Sequence, residues 1–163
     1  MKIATTQTPE NIAFILEVLA RIPNRLEAIS SQLSPNQLTT PISPGERTPT
    51  EILAHILHCE AITGNAIIIA LLKKEPLLPS LHPERDLGKL MNYHQRSFTD
   101  LQVYFSFRRK TLLSILNSLK EKQWSRIVKE EGKKRRETVY RLARVQALHE
   151  EAHVKEIEDK FLV

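Results

Sequence analysis

The sequence predicts an all-α fold, a four-helix bundle with a long crossover between helices 2 and 3 that runs up-down-down-up. Three observations lead there. Four segments repeat apolar residues at three- and four-residue spacing, the period of a helix with one buried face. Proline, the strongest breaker, gathers mainly between those segments, and with 4 glycines in 163 residues the helices are seldom weakened from within. β-Branched and aromatic residues are not gathered into alternating runs. One domain, 1–163, accounts for the whole length. It can bury roughly two-thirds of the surface its unfolded chain exposes, so folding alone requires neither disulfide nor metal.

The first helix is expected from Pro9 to Leu33, on Ile12, Ile15, Leu16, Leu19, Ile22, Leu26, Ile29 and Leu33. Pro23 lies inside this pattern and predicts a kink or short break. Pro35, Pro41, Pro44, Gly45 and Pro49 then read as loop. Thr48, Pro49 and Glu51 form a capping-box signature for the second helix, which should run to about Lys74. Gly64 within it costs about 1 kcal/mol relative to alanine and predicts close packing or a bend. Residues 75–98 form the crossover, with Pro76, Pro79, Pro83 and a short helix near Leu87 to His94. Such a span is too long for a hairpin and lets the third helix run parallel to the second. The third helix is expected from Thr99 to Gln123, on Leu101, Tyr104, Phe105, Leu112, Ile115, Leu116 and Leu119. A basic stretch containing Gly132 follows, and the fourth helix begins near Glu137 or Thr138.

A net charge of +5 and a pI near 9.4 raise the question of nucleic acid. The excess is local, in Arg108-Arg109-Lys110 and in Lys133-Lys134-Arg135-Arg136 beside Glu130 and Glu131. Neither run has interleaved aromatics or a helix-turn-helix or zinc-finger spacing. Both read as solvated faces, and no nucleic-acid partner is expected. The single cysteine, Cys59, rules out an internal disulfide and is compatible with a reducing compartment. Met1 to Pro9 is polar, and Ala66 to Leu72 falls far short of the ~20 apolar residues of a membrane helix. The expected location is cytoplasmic, without a membrane partner.

The sharpest chemical signal is the pair His149 and His153, one helical turn apart on the fourth helix. Leu142, Gln146, His149, His153 and Glu156 share a stripe that should face inward or lie at its edge. The pair suits one metal ion, and it suits equally two solvated histidines on a helix surface. The letters also match H-E-x-x-H, with Glu150 as general base of a metalloprotease. Such enzymes usually draw a third ligand from well downstream, and little chain follows His153. A third ligand must come from upstream, where the second helix offers His55 and His58. His55 shares a stripe with Ile52, Ile56, Cys59 and Ile62; His58 is rotated about 60° toward the flank, at 100° per residue. His55 is the better inward candidate. Three imidazoles would leave coordination positions open, as catalytic sites do, and suit divalent Zn, Ni, Cu or Fe. Cys59 reads as a small buried hydrophobe, with a soft ligand or nucleophile as the alternative. Glu60 and Gln146 are candidates to fix the imidazole tautomers. His82 and His94 are read as solvent-facing.

From Leu16 to Ile157 the chain resembles the DinB-like superfamily of metal-binding four-helix bundles. The resemblance rests on Leu33-Ser34-Pro35-Asn36-Gln37-Leu38, on Pro44-Gly45-Glu46-Arg47-Thr48 and on Glu51-Ile52-Leu53-Ala54-His55-Ile56-Leu57-His58-Cys59-Glu60. Asn92-Tyr93, Phe107-Arg108-Arg109 through Leu119, Trp124-Ser125-Arg126, Gly132 and the His149/His153 pair follow in the expected order. It implies metal ligation by His55, His149 and His153. It also implies a metal-dependent enzyme that activates a low-molecular-weight thiol for transfer to a small-molecule substrate. The alternatives it carries are a non-catalytic metal- or ligand-binding bundle forming homodimers, and a metal-dependent hydrolase. Arg47 stands where the superfamily commonly has tryptophan, which recharges the entrance to the site. Arg47 and Arg108 are the basic residues available to orient a carboxylate on the thiol.

Overall fold

In the computed structural model, which describes residues 2–162, four long helices pack side by side: α1 (Pro9–Gln32), α3 (Pro49–Leu72), α5 (Phe98–Asn117) and α7 (Val139–Phe161). Each starts on a hydroxyl N-cap: Thr8, Thr48, Ser97 and Thr138 accept from the backbone three residues on. The Thr48–Glu51 capping box forms as the sequence predicts, at 2.8 and 3.1 Å. Of the kink or short break expected at Pro23, the break is absent: α1 runs unbroken through it. Pro23 is only partly buried, whereas Ile22 and Leu26 on either side are fully buried, so packing holds the helix across the missing N–H.

Inter-helix bonds give the helix directions. Arg21 and Arg25 on α1 meet Glu151 and Glu158 on α7 in the same order, so these two helices are parallel. Glu60 on α3 pairs with Arg108 on α5, and Gly64 and Ile68 share a cleft with Thr111 and Ile115, so this pair is parallel too. His55, near the start of α3, faces His149 at the middle of α7, whereas Arg126, thirteen residues before α7 begins, reaches the far end of α3. The order is therefore up-down-down-up, with α1 and α3 across the diagonal. Arg126 also closes α3: its guanidinium donates to the carbonyls of Ala70 and Lys73 at 2.6 and 2.8 Å.

The connections hold more regular structure than the sequence suggests. Within 34–49, α2 (Pro35–Thr39) forms on a Ser34–Gln37 capping box and buries Leu38. The expected third helix ends early, at Asn117, and a separate turn, α6 (Glu121–Trp124), buries Trp124. Around Gly132, which takes φ +75°, β2 (Ile127–Glu130) and β3 (Glu137–Thr138) form a hairpin. β1 (Leu77–Leu78) pairs with β2 in parallel, Leu77 opposite Lys129, and ties the start of the crossover to the α7 end of the chain. The rest of the crossover is a π-helical turn at Pro83–Gly88, α4 (Lys89–Met91) and a 3₁₀ turn at Tyr93–Gln95, laid along α3.

Two apolar clusters make up the core. One holds Ile22, Leu26, Ile29, Leu53, Ile56, Phe105 and Val154; the other holds Ile15, Leu19, Ile67, Leu112, Val139 and Ala147. Between them lies a buried ion pair, Arg109 Nη2 to Glu150 Oε1 at 2.6 Å, with both side chains 1% exposed. Arg109 therefore does not belong to a solvated basic face, and Glu150 is not poised as a general base. Both stand on core stripes, Leu101-Phe105-Arg109-Leu112-Leu116 and Ala143-Ala147-Glu150-Val154-Ile157. α3 is the one described helix long and apolar enough to cross a membrane, and 61% of its most apolar window is buried in the bundle.

Candidate metal centre

His55 from α3 and His149 and His153 from α7 meet at the edge of the bundle. Their ring centroids lie 5.0 Å (His55–His149), 4.8 Å (His55–His153) and 4.5 Å (His149–His153) apart. The Nε2 atoms of His55 and His149 stand 3.0 Å from each other. Two nitrogens on one tetrahedral zinc, at ~2.0–2.1 Å each, are roughly 3.3 Å apart. The observed spacing is close to that.

Carboxylates brace two of the rings. Glu84, from the π-helical turn of the crossover, bonds His55 Nδ1, and Glu156 Oε2 lies 3.1 Å from His153 Nδ1. A carboxylate at Nδ1 takes the N–H there and leaves the lone pair on Nε2, where a metal would sit. Burial pulls the His55 pKa below that of a free imidazole, against the opposing pull of Glu84. Burial, together with the neighbouring His153 and His55, lowers that of His149 to about 4. At neutral pH both rings are uncharged and have lone pairs to give, which is the state that ligates. The donor set thus fits a divalent metal. Cys59, one turn along α3, places Sγ 3.7 Å from His55 Nε2, and the donor atoms of His55, Cys59 and His149 all lie within 4.8 Å of one another. Burial pushes the Cys59 thiol up to about 12.

One cleft reaches this centre and a second lies beside it. One, of about 360 Å³, runs under the crossover to His55, with Arg47, Lys89 and His94 around it. The other, of about 230 Å³, reaches Cys59 and is lined largely by apolar groups such as Ile62, Ala66, Leu78, Val128 and Leu142.

Several site expectations need correction. His58, expected toward the flank with His55 the more inward of the two, is itself buried: it is 4% exposed, and the crossover covers it, with Tyr93 stacked on its ring at 5.1 Å and 14°. Neither His58 nitrogen has a hydrogen-bond partner among the described residues, a state that typically costs about 1–3 kcal/mol. Glu60 does not touch an imidazole but pairs with Arg108, which is thereby committed elsewhere. Gln146 donates to Glu150 at 3.0 Å. The tautomer-fixing roles fall instead to Glu84 and Glu156. Glu156 carried a signal, three residues after His153; Glu84 carried none, because only the fold brings the crossover to α3. His82 and His94 are exposed, as expected.

Fold and site together define a four-helix-bundle protein with a histidine-built centre able to take a metal ion. The chain belongs to the DinB superfamily, whose profile matches residues 19–157. Among solved structures, YfiT from Bacillus subtilis, described as a probable metal-dependent hydrolase with an unusual four-helix bundle topology, superposes with a TM-score of 0.82. The match covers 98% of this chain and 93% of that one at 16% sequence identity, and it shows a shared fold. No curated protein matches the sequence.

Proposed function

We propose that this protein is a metal-dependent enzyme in which His55, His149 and His153 hold one divalent ion, leaving a coordination position open. The observation that carries this is the convergence of three imidazoles, two of them turned by carboxylates so that Nε2 is free for the ion. When bound, such an ion lowers the pKa of a water or thiol beside it and so supplies a nucleophile at neutral pH. Glu84 and Glu156 hold the Nδ1 protons of His55 and His153 and keep both rings in their ligating tautomer.

A cleft at His55 and a second at Cys59, one turn along α3, favour a transfer between two molecules, and the reaction proposed is transfer of a low-molecular-weight thiol to a small acceptor. In the metal-free chain the Cys59 thiol, pushed up to about 12 by burial, stays protonated at neutral pH. Hydrolysis by an activated water is the second reading, favoured by the shared fold of YfiT and its description as a probable metal-dependent hydrolase.

Elemental analysis of protein purified without chelator, followed by zinc and nickel titration, tests the metal. One equivalent bound is expected, and failure to bind either ion overturns the proposal. On loaded protein, thiol consumption with electrophilic acceptors and hydrolysis of esters and amides are then measured side by side. Thiol-dependent turnover supports transfer; turnover without thiol replaces it with hydrolysis; silence in both leaves a metal-binding bundle and overturns the enzyme reading.

A further inference from the structure

The cleft under the crossover has a charge pattern that selects its ligand. Its two carboxylates are already engaged: Glu51 caps the Thr48 backbone N–H, and Glu84 bonds His55. Its cations are less committed. Arg47 reaches Glu84 only at 3.7 Å, and no carboxylate among the described residues pairs with Lys89, which is exposed at the rim. At the back stands His58, buried, clamped by Tyr93 and without a partner on either nitrogen. Asn92 holds that clamp in place. Its left-handed backbone, φ 50° and ψ 37°, turns the chain between α4 and the 3₁₀ turn and delivers Tyr93 to His58. The unspent valences of the cavity are thus two cations at the mouth and one imidazole behind them. Charge-assisted bonds to a carboxylate are the strong kind, and a buried imidazole gains a partner when a ligand's polar group or a water it carries reaches it.

We propose that this cleft seats a small organic carboxylate, held at the rim by Lys89 and Arg47 against the back wall that the buried His58 ring helps to form. The cavity of about 360 Å³ suits a small molecule, and His55 in its wall puts that molecule against the histidine centre. The placement names the substrate class of the reaction proposed above and rests on that reading only for what happens after binding. Recognition itself belongs to Lys89 and Arg47.

Succinate and 3-phenyllactate, each set against its own amide, are the probes, titrated by amide NMR into metal-free and zinc-loaded protein. Both acids should shift signals of Lys89, Arg47 and His58, and both amides should bind at least about tenfold more weakly. Lys89→Glu should weaken acid binding by about tenfold or more, and Lys89→Arg should restore it. His58→Phe, which keeps an aromatic ring against Tyr93 and so preserves the back wall, should leave zinc stoichiometry at the wild-type value. The proposal is overturned if neither acid binds either form at about 20 mM, if acids and amides bind alike, or if Lys89→Glu changes nothing. Failure of the metal reading shows separately, as absence of zinc uptake, and leaves acid binding to metal-free protein as a free-standing result.

Discussion

His149 and Glu150 are neighbours on α7, yet they serve two polar sites of opposite kind. Glu150 points into the core, where Arg109 meets it at 2.6 Å and Gln146 donates to the same oxygen at 3.0 Å. Each charge has its counter-charge, and both side chains are shut away from water. His149 points to the edge toward α3, where it meets two more imidazoles. There Glu84 and Glu156 hold two of the rings, and the three imidazoles converge without a counter-charge of the kind that Arg109 gives Glu150. A buried charge set against its counter-charge holds a fold in register, even with Arg109 Nε and Nη1, Gln146 Oε1 and Glu150 Oε2 left without hydrogen-bond partners among the described residues, whereas a cluster of converging lone-pair donors is suited to taking an ion. The contrast predicts that the two clusters fail differently when broken.

The largest effect is expected at the closed pair. Arg109→Ala leaves Glu150 buried without its counter-charge and should lower unfolding stability by about 3–5 kcal/mol, read from urea denaturation of metal-free protein. The double replacement Arg109→Met, Glu150→Leu removes both charges and should recover most of that loss. A single variant that loses less than about 1 kcal/mol would show that the pair is not closed and would dissolve the contrast.

At the open cluster the same kind of truncation should spare the fold. His153→Ala should abolish stoichiometric metal in elemental analysis while metal-free stability stays within about 1 kcal/mol of the parent. Retained metal would mean that His153 is not a ligand and that Cys59, with His55 and His149, takes its place.

The two clusters also differed in how plainly the sequence announced them. The bundle was legible because apolar periodicity is a property of each helix alone, and the Thr48–Glu51 box marks its boundary within four residues. The trio was legible for the same reason, since His149 and His153 sit one turn apart and His55 shares a stripe with Ile52, Ile56 and Cys59. Arg109 and Glu150 carried an equally local signal, each on a core stripe, but a charge run and an H-E-x-x-H match drew attention from it. What no local pattern holds is contact across the crossover. Glu84 on His55, Tyr93 on His58 and β1 beside β2 depend on how residues 75–98 drape over α3. Turns of three to six residues with two-residue strands have too few positions to establish a period.

Glu84 gives an intermediate test. Glu84→Gln keeps the shape but removes the charge that holds the His55 Nδ1 proton. Metal affinity, measured by competition with a chromophoric chelator, should fall about 10–100-fold, with stoichiometry intact. Unchanged affinity would make the crossover carboxylate a packing contact only.

His58→Ala should have the smallest effect on metal, and the reason separates the two histidines of α3. His55 and His58 are three residues apart and both near the cleft, so composition and spacing alone do not decide between them. Geometry does: His55 Nε2 faces His149 at 3.0 Å, while both His58 nitrogens are enclosed under the crossover against Tyr93. Removing His58 takes away a stacking surface and an unsatisfied buried ring together. The lost packing destabilises, the lost desolvation cost stabilises, and the two offset in part. Zinc affinity in the same chelator competition should stay within about twofold of the parent, a change well under 1 kcal/mol. A loss as large as that of Glu84→Gln would place His58 among the groups that build the open cluster. The covered ring would then have to reach the ion through a crossover that lifts from α3.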